Sequence, residues 1–275
     1  MKTLNGKEEK KLILYKLKEK ISQEPTKPGL AVLLIGKDRA SHVYVGLKEK
    51  AALEVGINFN LFKFNDDSSE EEIINKINKL NSDKNIDGVI VQLPLVEKFN
   101  TKKIVNSIDP KKDVDGFHEV NLNLIKEGKN PFYYSPFMKA IVFSIDRGVG
   151  LNNLEGKKVL SLVNSDLFGE TLNQFFNERK ANHEYLKEIN LDKIKEADVI
   201  ILTKGKAKII NKDMVKEGVA IINGGVSYDE NQKACGDLDT EGIEEKASFI
   251  TPTIGGIGPL TIAYLLDNTH KASKL

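Results

Sequence analysis

Ser41, Tyr44 and Lys48 recur at the three- and four-residue spacing that puts side chains on one face of a helix. The same arc continues through Ala51, Ala52 and Val55, whereas Lys50 and Glu54 fall on the opposite arc. Lys48 is therefore expected to look inward and Lys50 towards solvent. An amine held against apolar surface beside a phenol gives up its proton more easily than one in water, which acid–base catalysis by lysine requires. A lysine whose stem covers apolar surface while its ammonium reaches water fits the same spacing, and the helix pattern alone does not separate the two.

Three further segments carry groups of interest. Val89-Ile90-Val91-Gln92-Leu93-Pro94 reads as a buried strand ending in an amide and then a proline. Strand ends of open α/β sheets are where ligand groups collect, and Gln92 can both donate and accept. Asp113-Val114-Asp115-Gly116-Phe117-His118 begins like a calcium loop. However, Phe117 takes a ligand position, His118 the required glycine and Leu124 the closing carboxylate, so no metal is expected. An Asp-Gly turn with one carboxylate facing a ligand is the better reading, a plain turn the simpler one. Thr251-Pro252-Thr253-Ile254-Gly255-Gly256-Ile257-Gly258-Pro259 places three glycines ahead of a helix expected to start at Pro259. It serves either close approach of a flat ligand to backbone amides or a hinge.

The elements that must position these groups alternate. Residues 7–22 pattern as an amphipathic helix, Leu30–Ile35 as a buried strand, and 40–55 as the helix of Lys48, closed by Gly56. Ile57, Phe59 and Leu61 mark a strand. Ser68 or Ser69 caps a helix running to about Leu80, and Gly88–Leu93 is the next strand. A second unit follows: a helix at 137–147, then strands at Val159–Val163, Asp198–Leu202, Val219–Ile222 and Phe249–Ile250. The fold class is α/β, with two lobes around a cleft: a parallel-sheet N-terminal lobe and a reduced Rossmann-like second lobe. Residues 1–136 with 258–275 are expected in the first and 137–257 in the second.

Composition narrows the function. Basic and acidic residues balance, 41 to 40, and no long basic block occurs, so neither nucleic acid nor a membrane surface is an expected partner. The single Cys235 rules out an internal disulfide and suits a reducing cytosol. The lysine- and glutamate-rich N-terminus does not read as a signal peptide, and the cytoplasm is the expected compartment.

In this order the segments resemble the bifunctional methylenetetrahydrofolate dehydrogenase/methenyltetrahydrofolate cyclohydrolase family, nearly end to end. The resemblance rests on Pro28-Gly29-Leu30-Ala31-Val32, Tyr44-Val45 with Lys48, and Gly88 through Leu95. Asp113 through His118, Gly236-Asp237 with Asp239, and Gly255-Gly256-Ile257-Gly258-Pro259 complete it. It implies a homodimer acting on one-carbon tetrahydrofolates, with Lys48, Gln92 and Tyr44 catalytic. Ser41, Tyr44, Gln92, Asp115, Gly255, Gly256 and Pro259 would then face the folate. A non-catalytic folate-binding or partner subunit of the same family is the alternative.

The resemblance also implies NADP as cofactor, and there the sequence departs. Val163-Asn164-Ser165 stands where the family has a Gly-Arg-Ser turn for the dinucleotide phosphates, so backbone room and a charge-assisted contact are both lost. Asp166 and Glu170 bracket the next helix start, where carboxylates would repel phosphate. Gly169 is kept, and Thr171 replaces a proline. Lys180–Glu188 lacks an apolar run, so the next strand is expected to be missing. Asn223-Gly224-Gly225-Val226 replaces an aspartate-containing strand end near the nicotinamide, Tyr134-Ser135-Pro136 a Cys-Thr-Pro run, and Ile254 a proline. The expectation is a cyclohydrolase whose dehydrogenase activity is weakened or lost, with Val163, Asn164, Ser165 and Val226 lining a degenerate cofactor site.

Overall fold

The computed structural model describes residues 1–228 and 233–275. The chain opens with β1 (Lys2–Thr3), α1 (Gly6–Ser22), β2 (Gly29–Ile35), α2 (Arg39–Val55), β3 (Asn58–Phe64), α3 (Glu70–Ser82) and β4 (Gly88–Val91). Then come α4 (Thr101–Val105), α5 (Glu119–Lys126), α6 (Pro136–Gly148), β5 (Lys158–Leu162), α7 (Asp166–Asn177) and β6 (Asn182–Leu186). It closes with α8 (Leu191–Glu196), β7 (Val199–Leu202), β8 (Ala220–Asn223), β9 (Val226–Tyr228), β10 (Ala234–Gly236), β11 (Phe249–Ile250) and α9 (Ile257–Ala272). Two compact units result: Lys10–Pro136 with Thr261–Leu275, and Met1–Glu9 with Phe137–Leu260.

In the unit built on Lys10–Pro136, β2 is the centre of a parallel sheet ordered β3-β2-β4. Its run GLAVLLI is buried throughout, as a strand covered on both faces must be. Leu30, Val32 and Leu34 pack with Leu17 of α1, Ala52 of α2 and Leu266 of α9. Ala31, Leu33 and Ile35 pack on the other side with Ile73 and Ile77 of α3 and Ile104 of α4. Each leucine, isoleucine or valine among them contributes roughly 1.5–3 kcal/mol when fully buried. The helix of Lys48 has defined ends: Asp38 caps α2 by accepting from the Ser41 N–H at 2.7 Å, and Gly56 stops it in the left-handed region at φ 89°.

The other unit holds a six-stranded, all-parallel sheet in the order β1-β11-β8-β7-β5-β6. The strands expected near 159–163, 198–202, 219–222 and 249–250 are present. The first nine residues belong here rather than to the first lobe because β1 pairs with β11, Lys2 opposite Phe249. The strand expected to be missing exists as β6, paired with β5 from Lys158–Asn182 to Leu162–Leu186. It is an edge strand, so it needs no continuous apolar run. Side-chain contacts to its neighbours help hold it instead. The Ser161 hydroxyl and His183 Nε2 share a 2.8 Å hydrogen bond, His183 Nδ1 donates to Asn173 Oδ1, and the imidazole stacks on Phe176 at 4.7 Å. Burial lowers the His183 pKa to about 4, so the ring is neutral in this network. Gly169 of α7 keeps clear of the Tyr185 ring, which would lie 2.4 Å from an added Cβ.

Two smaller differences follow from local chemistry. The last helix begins at Ile257, not Pro259, because a proline in the first helical turn sacrifices no intrahelical hydrogen bond. Val226 lies in β9, which pairs antiparallel with β10, Cys235 opposite Ser227.

Candidate active site

α2 delivers Lys48 to the interior, where its side chain is only 5% exposed. An ammonium there must be paired or lose its proton. Lys48 Nζ donates to Gln92 Oε1 at 2.9 Å and sits 5.0 Å from the centre of the Tyr44 ring. Gln92 follows β4 directly: its N–H donates to Leu33 O at 2.9 Å, extending the strand register, and its Nε2 donates to Leu93 O at 2.7 Å. With its amide nitrogen occupied this way, Gln92 presents an oxygen to the lysine. The Leu93–Pro94 peptide is cis.

Electrostatics bind these groups to Asp115. Burial lowers the Lys48 pKa, and the Asp115 charge opposes it. Burial raises the Asp115 carboxyl, which Lys48 in turn holds down. The Tyr44 phenol is raised, first by burial, then by Asp115, against a hydrogen bond with Thr261. Lys48, Gln92, Tyr44 and Asp115 thus form one coupled group. Ser41 is buried on the same face, but both its N–H and its hydroxyl are engaged with Asp38 at the helix start.

The turn bearing Asp115 is built by its neighbour. Asp113 is 1% exposed, accepts from the His118 N–H at 2.8 Å and from Asn121 Nδ2 at 3.1 Å, and shapes the turn around them. Gly116, at φ 72°, permits the chain to pass Tyr133 and Ser135, which an added Cβ would meet at 2.9–3.0 Å. Asn268 of α9 donates to Val114 O at 2.9 Å and Tyr134 O at 3.0 Å. Asn121, Thr261 and Asn268 escape sequence reading because a single polar residue on a helix reveals nothing of its partners.

Gly255, Gly256 and Pro259 belong to the other unit. Gly255 adopts φ 85°, and the Gly255 and Gly256 carbonyls pack so closely on Gly6 that a Cβ there would lie 1.9–2.6 Å from them. In that unit β5 lies between β6 and β7, so the chain reverses direction across the sheet there, the usual crevice for a ligand. Asn164 Nδ2 donates to Lys204 O at 2.8 Å between the loops after β5 and β7. Ser165 makes no side-chain capping bond to α7 among the described residues. Val163 is fully buried. Asp166 is not a bare carboxylate at the helix start: Lys187, just past β6, pairs with it at 2.9 Å. Asn223, 2% exposed, ends β8 with Nδ2 donating to Thr253 at 3.0 Å, while its Oδ1 has no partner among the described residues.

Residues 4–115 match the profile of the tetrahydrofolate dehydrogenase/cyclohydrolase catalytic domain, and residues 142–275 that of the NAD(P)-binding domain of the same family. The Bifunctional protein FolD of Bacillus subtilis is 38% identical over 277 residues, covering 98% of this chain and 97% of its own. The chain belongs to the tetrahydrofolate dehydrogenase/cyclohydrolase family. Another family member, the Bifunctional protein FolD of Streptococcus agalactiae, is 40% identical over 90% of this chain and 87% of its own. Among solved structures, the FolD dehydrogenase/cyclohydrolase of Campylobacter jejuni aligns with TM-score 0.92 at 34% identity, covering 100% of this chain and 99% of that one. That of Trypanosoma brucei, complexed with NADP cofactor and inhibitor, aligns with TM-score 0.92 at 25% identity, covering 99% and 97%. The second unit of this family member is therefore a Rossmann-like NAD(P)-binding domain.

Asp113 supplies a pH test of the site's scaffold. Burial first, and then Asp115, push its carboxyl from 3.8 up to about 7, against the donated hydrogen bonds. Between those values the folded protein keeps a proton that the unfolded chain releases. The associated stability is present at acid pH and is lost as pH rises through 7, by up to about 4 kcal/mol. Urea unfolding of wild type is expected to weaken more steeply than that of Asp113→Asn as pH rises from roughly 5 to 8. Parallel curves would show that Asp113 does not titrate there.

Proposed function

We propose that this chain hydrolyses 5,10-methenyltetrahydrofolate to 10-formyltetrahydrofolate, with Lys48 moving the protons. The observation that carries the reading is a buried Lys48 amine donating to Gln92 at 2.9 Å, next to Tyr44 and coupled to Asp115. The substrate's bridging carbon is part of an amidinium and is open to attack by water. In its neutral form, Lys48 accepts a proton from that water as the C–O bond forms. The resulting ammonium then protonates N5 as the C–N5 bond breaks, the hydroxyl collapses to the formyl carbonyl, and one proton is released overall. Gln92 holds the amine in place, and Tyr44 and Asp115 position the substrate.

The family's other reaction oxidises methylenetetrahydrofolate, with bound NADP accepting hydride. The second unit's residues fit a dinucleotide: the sheet reverses direction beside β5, and the unsatisfied Asn223 Oδ1 offers a buried acceptor. Ser165 leaves the α7 start without a side-chain cap. Val163 takes away the backbone room a glycine would give and Asn164 the arginine contact, so we read dehydrogenation here as weaker than hydrolysis.

Loss of the methenyl ultraviolet band, followed with purified protein, tests the first claim. Decay well above buffer is expected. Decay at the buffer rate, with folate still bound by calorimetry, would mark a non-catalytic folate-binding subunit instead. Robust, low-KM reduction of NADP in the presence of methylenetetrahydrofolate would overturn the weakening.

A further inference from the structure

In a doubly wound sheet the adenine ribose of a dinucleotide lies at the end of the strand beside the first one, on the far side of the reversal point. Here that strand is β6, and the residue directly after it is Lys187. An acidic side chain at this place accepts from a ribose 2′-hydroxyl, whereas a cation accommodates a 2′-phosphate. Lys187 is half-exposed, and its ammonium pairs with Asp166 at 2.9 Å, a contact that raises its pKa and keeps it charged. Its backbone is anchored: Lys204 Nζ donates to Lys187 O at 2.6 Å and to Val163 O at 3.4 Å, tying together the ends of β5, β6 and β7. The strand end that carries the cation is thus anchored through its backbone, while the ammonium's partner is an exchangeable surface carboxylate.

We propose that Lys187 sets the choice between NADP and NAD, exchanging Asp166 for the ribose 2′-phosphate. The inference rests on the reading of this unit as a working dinucleotide site. Asp166 and the phosphate then compete for one ammonium. That competition weakens the NADP preference without abolishing it, because a displaced Asp166 stays within range to repel the phosphate. Glu188, the next residue, is the acidic rival: were it the reader, the preference would turn to NAD.

Calorimetric titration with 2′-phospho-ADP-ribose and with ADP-ribose tests this without turnover. Wild type is expected to bind the 2′-phosphorylated ligand more tightly, by a margin that shrinks as salt is raised. Lys187→Ala should lower that affinity about 10-fold while leaving ADP-ribose unchanged, as loss of a hydrogen bond to a charged group predicts. Asp166→Asn should raise it by a similar factor. Equal loss of both ligands in Lys187→Ala, an unchanged ratio in both variants, or tighter binding of ADP-ribose by wild type would overturn the assignment of Lys187. Binding of neither ligand by wild type would instead overturn the dinucleotide reading on which it rests.

Discussion

Lys48→Met is expected to lower methenyltetrahydrofolate hydrolysis by roughly 10²–10⁴-fold, the usual contribution of a positioned proton-transfer group. The chain should still fold, because methionine fills the lysine's space and removes the cost of burying an ammonium. Lys48→Arg should be nearly as inactive although it keeps the charge, since a guanidinium does not release its proton near neutral pH. The pH profile separates catalysis from mere substrate binding. The working form is the neutral amine, so the rate rises with pH through a Lys48 pKa lowered from 10.5 by burial. Asp115 holds that pKa up; Asp115→Asn should move the rising limb of kcat to lower pH even where KM suffers. A Lys48→Met enzyme with the wild-type rate, or a limb that stays put in Asp115→Asn, would remove Lys48 from the mechanism.

This half of the molecule was legible in the sequence for a physical reason. The period of α2 places Ser41, Lys48, Ala51, Ala52 and Val55 on one buried arc, and all five are buried. A continuous apolar run identified β2 and β4, and the proline after Gln92 marked where β4 had to stop. Spacing could not show that the Lys48 amine meets the Gln92 oxygen, because residues 44 apart are joined only by the sheet. Nor could it separate Asp113 from Asp115. The two share one turn, yet Asp113 is consumed by the His118 and Asn121 donors while Asp115 couples to Lys48.

The second unit was less legible because its decisive contacts are polar and long-range. β6 carries the sequence NHEYL, with no hydrophobic stretch, and depends on His183 meeting Ser161, Asn173 and Phe176 from other elements. β1 is two exposed residues whose only claim to be a strand is the backbone of β11. Asp166 read as a repulsive carboxylate because Lys187, its partner, lies across a helix and a strand.

The same logic gives the second large effect, at Gly225. A Cβ added there would lie 2.1–2.4 Å from the Asp237 carboxylate, so something must move. Asp237 cannot withdraw cheaply. It is fully buried and accepts the backbone N–H groups of Lys204 at 2.6 Å and Lys206 at 2.7 Å, with Gly205 between them. Retreat of the carboxylate would leave those donors without their acceptor in a dry environment. Gly225→Ala is therefore expected to destabilise the protein by roughly 3 kcal/mol, overpacking and lost hydrogen bonds together. Removing the obstacle should change the outcome: in Asp237→Ala the clamp is already gone, and adding Gly225→Ala should cost much less than it does alone. Because the clamped loop follows β7 beside the crevice, the surviving Gly225→Ala protein should also bind ADP-ribose more weakly. Additive losses of stability in the double variant would mean that Gly225 and Asp237 act independently, and that the carboxylate is not what demands glycine at this position.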